Sequence, residues 1–303
     1  MSNGAPPAAH PDDPLRGIPL MVASMAVFSA MDCTSKILAA EYHPLMVTWG
    51  RQVMQILLLA PIVLWMGPMR CLRSAAPAMQ GLRSLCLYAS TVCFVSGLAQ
   101  LPLAEASAIG FVSPMFTTAL SIPLLGEKVG IRRWMAILVG FGGVLVVIRP
   151  GTAAFDPAAL FPVASAAFWA LALIVTRRMS YRDTTITTLV YATLIGFATA
   201  SLPLPWFWTA PDLAGWALML AMGALSLAGH YLLVQAFQRG SASILAPFSY
   251  TQMVWATMFG YLVFHNLPDR WTWAGAAVII ASGVYVWHRE RVRHGLVRNG
   301  AKR

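Results

Sequence analysis

The chain has 303 residues, of which 58% are hydrophobic and only 11% charged, with a mean hydropathy of +0.66. Soluble domains carry about 25% charged residues, and a soluble protein this apolar would expose an aggregating surface, so a water-soluble fold is excluded. The formal net charge of +10 does not point to nucleic acid here, because the cations flank apolar runs, where such charges set membrane orientation.

In chain order, residues 1–16 are rich in Pro and Ala and contain Asp12-Asp13. They read as a disordered cytoplasmic tail, not as a cleavable leader, which needs a basic start and an apolar core. Apolar runs follow at 17–39, 45–66, 78–98, 104–125, 131–149, 158–177, 185–205, 213–235, 242–264 and 271–288. Each has about the 20 residues that a helix needs to cross a bilayer. Residues 289–303 form a basic tail. Pro44, Gly67-Pro68, Pro102, Pro150-Gly151 and Pro268 punctuate the short connections. Seventeen of the 21 Lys and Arg residues, Arg83 among them, sort to one side of the ten-span layout. By the positive-inside rule that side is cytoplasmic, and so are both termini.

The two halves resemble each other. Ala104–Ile109 matches Arg239–Ile244, and each precedes a span interrupted by proline, Pro114 or Pro247. A tryptophan (Trp134, Trp273) and then Gly143-Val144 or Gly283-Val284 follow in the same order. Five spans per half is an odd number, so the second half starts on the opposite face of the membrane. The predicted fold is an all-α membrane protein: ten transmembrane helices as two inverted five-helix repeats, 17–149 and 158–288, enclosing a broad cavity.

Polar groups at membrane depth are costly, and so point to function or to architecture. Asp32 and Lys36 lie four residues apart on one helix face, and Arg51 enters the next span from the same end. They are expected to form an ion pair, either for coupling or as a structural lock. His230 is a candidate proton relay or substrate contact, or a structural hydrogen-bonded histidine. Pro114 and Pro247 free backbone carbonyls and are expected to line the site or act as hinges. Tyr88, Trp169 and Tyr250 offer flat apolar faces with a polar edge, and Ser29 a hydrogen bond, for a small-molecule substrate. Glu127 is a gate or a helix-end anchor. The four cysteines have no metal spacing and are expected to be free thiols. No phosphate loop, HExxH or GxSxG motif occurs, so neither ATP-driven transport nor an enzyme is expected, and no cofactor or metal. A membrane-embedded enzyme using Asp32 and His230 is the weaker alternative, since the two fall at different depths.

Ala106-Ser107-Ala108, Pro114, Leu125-Gly126-Glu127-Lys128, Trp134 and Gly140 to Val144, with Pro44 and Arg51 before them, resemble the EamA domain of the drug/metabolite transporter superfamily. The resemblance covers 17–288 as two units. It implies a ten-helix secondary transporter of small organic metabolites in a bacterial cell inner membrane, working by alternating access. Phe28-Ser29, Tyr88, Trp169-Ala170 and Ser249-Tyr250 are similar to YddG-like amino-acid exporters, which implies export of aromatic or other apolar amino acids. Uptake is the alternative. Asn266 stands roughly where the first half has Glu127 and departs from the pattern. The lipid bilayer is the other partner, with protons as the candidate coupling ion and a monomer or weak dimer as the assembly.

Overall fold

A computed structural model describes residues 14–126, 131–179, 183–239 and 245–300. Among these, all regular structure is helical. The helices are α1 Pro14–Ala39, α2 Pro44–Met66, α3 Pro68–Leu72, α4 Pro77–Leu98, α5 Leu103–Gly110, α6 Ser113–Leu125 and α7 Ile131–Ile148. The second half holds α8 Leu160–Met179, α9 Thr185–Ser201, α10 Leu204–Phe207, α11 Leu213–Arg239, α12 Thr251–Phe264 and α13 Arg270–Gly300. Proline opens α2, α3 and α4, where its missing N–H costs no helical bond.

Six segments among the described residues are long and apolar enough to cross a membrane: Gly17–Ala39, Pro44–Met66, Pro77–Leu98, Leu103–Leu124, Pro157–Thr176 and Leu213–Leu233. The other expected crossings coincide with shorter apolar helices, Trp134–Ile148 and Ile186–Ser201, and with α12 and α13. Leu64, Leu138, Leu145, Leu173, Val254 and Leu262 project outward and exposed. Such an apolar exterior suits lipid and not water.

Two apolar segments are broken at proline. In the first, α5 stops at Gly110 and α6 restarts at Ser113, with Pro114 in its opening turn. The amides of Phe111 and Val112 bridge the gap through bonds to Ser107 and Ile109 at 3.2 and 3.1 Å. In the second, a 3-10 turn, Ala246–Tyr250, contains Pro247 and runs into α12. In both, proline sits at a helix start and its lack of a donor is absorbed there.

The packing has a regular pattern. α1 packs on α11 and α4 on α8; α1 meets α12 and α6 meets α8; α2 meets α11 and α4 meets α9. Three further pairs are α2 with α9, α5 with α12, and α7 with α13. Let the segments of the first half be α1, α2, α4, α5–α6 and α7, and those of the second α8, α9, α11, turn–α12 and α13. Exchanging each with its counterpart returns the same set of pairs. Glycine allows the closest approach, at the α7–α13 seam. A Cβ on Gly275 would lie 2.5 Å from the Gly143 carbonyl oxygen, and one on Gly143 would lie 2.9 Å from the Gly275 oxygen.

Opposite ends of the bundle are tied differently. At one end the Tyr42 hydroxyl donates to Asp212 (3.2 Å), and Arg149 pairs with Asp269 (2.9 Å). At the other, Asp183 accepts from Ser74 Oγ (2.5 Å), the Ala75 amide (2.7 Å) and Gln80 Nε2 (2.8 Å). All four cysteines, Cys33, Cys71, Cys86 and Cys93, are free.

Candidate functional site

The candidate residues on α1 fall on its buried face. Ser29 Oγ donates to the Gln252 carbonyl of α12 at 3.2 Å. Asp32, one turn on and 5% exposed, accepts from Gln252 Nε2 at 3.2 Å. Ser29, Asp32 and Gln252 therefore form one polar junction between α1 and the second broken segment.

The expected ion pair among Asp32, Lys36 and Arg51 is not formed among the described residues. Lys36 Nζ donates instead to the carbonyls of Leu98 and Leu101, at 2.8 and 2.6 Å. Leu98 ends α4 and Leu101 lies in the turn just beyond it, where the last helical oxygens have no intrahelical donor and a cation is favoured. The ammonium also stands 5.5 Å from the centre of the Phe264 ring. The lysine stem is long enough to reach past Asp32 to these carbonyls. Arg51 Nη2 donates to Thr91 Oγ1 of α4 at 3.1 Å, while its Nε is buried without an acceptor.

Tyr88, on α4, has a buried hydroxyl with no hydrogen bond of ordinary geometry, and Thr48 of α2 beside it. His230 on α11 bonds through Nδ1 to the Ser226 carbonyl at 2.8 Å. A carbonyl only accepts, so Nδ1 bears a proton. The imidazole meets the Phe28 ring edge-on, with centroids 5.0 Å apart. Ser226 is also bonded by Gln55 Nε2 of α2, at 2.8 Å.

The two breaks meet. Phe111, at the α5–α6 gap, packs edge-on against Tyr250, centroids 5.3 Å apart. The Tyr250 hydroxyl lies over Gly283 of α13, where any Cβ would collide with it. Pro114 is exposed, and its carbonyl accepts from Thr118 Oγ1 at 3.0 Å. Pro247 sits in the matching turn. Trp169 is half-buried on α8, one turn from Ser165, whose carbonyl accepts from Ser90 Oγ at 3.0 Å. It is not drawn into the polar junction. Glu127 lies outside the described residues.

Two residues escaped the sequence reading. Arg83, assigned to a flanking cluster, stands inside α4, with Nε on Thr176 Oγ1 of α8 (2.8 Å) and Nη1 buried without a partner. Pro77 as a helix start was the signal, since it puts Arg83 almost two turns inward. Gln252, two residues past Tyr250, was the one strongly polar side chain in its apolar run.

A separate groove of about 470 Å³ lies along α7 and α13, lined by Ile131, Met135, Val139, Val278 and Tyr285 among others. Its lining is apolar, and it holds none of the candidate residues.

The sequence pattern described as EamA-like transporter family matches residues 15–149 and again 156–287. The S-adenosylmethionine uptake transporter of Rickettsia bellii is 29% identical over 276 residues, 91% of this chain and 94% of its own length. The riboflavin transporter of Vibrio cholerae is 32% identical over 63% of this chain and 65% of its own. The pseudopaline exporter CntI of Pseudomonas aeruginosa is 32% identical over 63% of this chain and 68% of its own. A solved crystal structure shares the fold with a TM-score of 0.59 at 18% identity, covering 89% of this chain and 94% of that one.

Proposed function

The chain belongs to the EamA-like transporter family, a multi-pass carrier of small metabolites in the bacterial inner membrane and not an enzyme, and from this we propose a ten-span secondary transporter that works by alternating access. The proposed architecture is two inverted five-helix repeats, 17–149 and 158–288, with both termini cytoplasmic. One observation carries the reading: the nine most extensive helix pairs map onto themselves when the halves are exchanged, while the lesser contacts of α4 with α1 and α2 have no matching pair in the second half. Two equivalent halves around a shared interior have two equivalent ways to open, one toward each face. The meeting of the two proline breaks at Phe111 and Tyr250 supports the same axis, because broken backbone at membrane depth is tolerated where it faces protein or a wet cavity.

The proposed direction is uptake. Support comes from the S-adenosylmethionine uptake relatives, which align over more than nine tenths of both chains. Export, including export of aromatic amino acids, is the second reading, favoured by the pseudopaline exporter match. Ser29, Tyr88, Trp169, His230 and Tyr250, with Pro114 and Pro247 as hinges, remain the proposed substrate-lining set. The test is uptake and exchange in proteoliposomes with labelled S-adenosylmethionine, riboflavin and amino acids, with and without a pH gradient. Saturable accumulation or exchange of a panel member is the expected result. Equal fluxes in protein-free vesicles across the panel overturn it.

A further inference from the structure

The second helix of each half, α2 or α9, begins against the connection between the second and third helices of the other half. Both connections have the same form, a short helix (α3 or α10) and then the start of α4 or α11. α3 packs on α9, and α10 packs on α2. Before the start of α9, the Asp183 carboxylate accepts from Ser74 Oγ, the Ala75 amide and Gln80 Nε2 at 2.5, 2.7 and 2.8 Å. Gln80 Nε2 also reaches Thr188 Oγ1 (3.1 Å), and the Tyr191 hydroxyl donates to the Leu72 carbonyl (3.1 Å). Before the start of α2, the Tyr42 hydroxyl donates to Asp212 Oδ1 at 3.2 Å, and the His43 ring stacks on Phe207 with centroids 4.0 Å apart. That same Asp212 oxygen accepts from the Gly215 amide of its own helix at 2.7 Å. Asp183 stands two residues before α9 and Tyr42 two before α2, so exchange of the halves carries one clasp onto the other. Their chemistry has diverged: one carboxylate takes three donors from across the halves, and the other shares one oxygen with a single hydroxyl.

We propose that these two clasps are the gates of the carrier, Asp183 with Ser74 and Gln80 on the cytoplasmic face and Tyr42 with Asp212 on the outer face, and that the stronger cytoplasmic clasp biases the unloaded protein toward opening outward. This rests on the carrier reading above, with its cytoplasmic termini. Alternation requires that a contact between the halves break at one face while its counterpart holds at the other. Each clasp joins the halves, and the two lie at opposite ends of the bundle. Water can take over each bond there as it breaks, so opening leaves no polar group stranded. Charge-assisted bonds are the stronger kind, and three to one carboxylate outlast one. The face with fewer bonds to break is then the more populated when open. The remaining ties do not meet the requirement. Lys36 bonds α1 to the end of α4, both within the first half. Arg149 and Asp269 close one end of the α7–α13 seam. That seam is the closest-packed in the bundle, through Gly143 and Gly275, and serves as the fixed edge.

The experiment reads opening through cysteine reporters in the purified full-length protein, its four native cysteines replaced by alanine. Thr187 and Val47 lie in the first turns of α9 and α2 and are 1% and 0% exposed. Thr187→Cys therefore reports the cytoplasmic clasp and Val47→Cys the outer one, by the rate of reaction with a hydrophilic thiol reagent relative to that of the unfolded protein. With both clasps intact, Val47→Cys reacts tenfold or more faster than Thr187→Cys. Asp183→Asn speeds Thr187→Cys tenfold or more and does not speed Val47→Cys. Tyr42→Phe speeds Val47→Cys and not Thr187→Cys. Ser74→Ala, which removes one donor and keeps the carboxylate, acts as Asp183→Asn does but less, and guards against misfolding of the stronger variant. Joining Ser74→Cys to Asp183→Cys with a cleavable bifunctional thiol reagent stops proteoliposome flux, and cleavage restores it. A parallel rise of both reporters, as plain loosening gives, or a reporter unmoved by its own clasp variant overturns the gates. Thr187→Cys as fast as Val47→Cys in the intact protein overturns the outward bias. Flux that continues with the clasp joined overturns the gates and leaves the carrier standing. Absence of flux for every substrate of the panel, with neither reporter responding to its variant, overturns the carrier itself.

Discussion

The two halves of the molecule share their packing but not their charges. In the first, α1 carries Asp32 and Lys36, α2 carries Arg51 and α4 carries Arg83. In the second, α8 has no charged residue from Leu160 to Thr176, and α9 and α12 have none at all. The seams correspond while the chemistry sits to one side: α1 on α11 is bonded by Ser24 Oγ to the Gly229 carbonyl (2.9 Å), and α4 on α8 by Ser90 to Ser165. A duplicated scaffold supplies two matching ways to move. Recognising an asymmetric ligand requires that the duplicates diverge.

The strongest break in that comparison targets the scaffold. Gly275→Leu places side-chain carbon against the Gly143 carbonyl and Val147, and overpacking against backbone has no cheap relief. Loss of monodisperse protein on size exclusion is expected. Gly142→Ala, whose Cβ meets nothing within 4 Å, should instead leave the protein folded and raise stability by about 0.5–1 kcal/mol through helix propensity. The next effect is on transport. Arg51→Gln is expected to lower flux on the order of 100-fold with the fold retained, the scale of a lost charged hydrogen bond. Ser165→Ala, in the charge-free stretch of α8, should stay within about twofold. A comparable loss at Ser165 would contradict the division of labour.

Lys36 sharpens the comparison from the other side, because it is a charge in the first half that serves the scaffold. Lys36→Met strips donors from the Leu98 and Leu101 carbonyls and is expected to cost about 1–3 kcal/mol in thermal unfolding, with flux per folded molecule little changed. The smallest effect is acid sensitivity at the bundle ends. Burial raises the Asp183 carboxyl, but the bonds from Ser74, Ala75 and Gln80 outweigh it and hold the group below its ordinary 3.8. Burial likewise opposes, and the Thr272 bonds and Arg149 outweigh, in Asp269. A depressed carboxyl stabilises the fold above its unfolded value and loses that contribution as pH falls through the folded one. Melting temperature should therefore be insensitive to these two carboxylates down to about pH 5 and respond only below the ordinary carboxylate range. Asp183→Asn and Asp269→Asn should remove that acid response.

Much of this was legible from residue order. Pro44 marks where α2 begins, and Pro114 and Pro247 mark the breaks, because proline acts on its own backbone whatever surrounds it. The partners of the charges were not legible. Spacing places Asp32 and Lys36 on one face, but the carbonyls that hold Lys36 belong to a helix end more than sixty residues away. The Gln252 that holds Asp32 is 220 residues away. Arg83 was hidden for a related reason: a hydropathy run blurs its own ends by a turn or two, and the fold decides which end-charges lie inside.

The glycine contact between α7 and α13 leaves its mark on heredity. Every codon for glycine begins with the same two bases, so any single-base change that alters Gly143 or Gly275 either adds a side chain or ends the chain. With the facing carbonyl oxygens 2.9 and 2.5 Å from where that first carbon would stand, neither position offers a mild neighbour in mutational space.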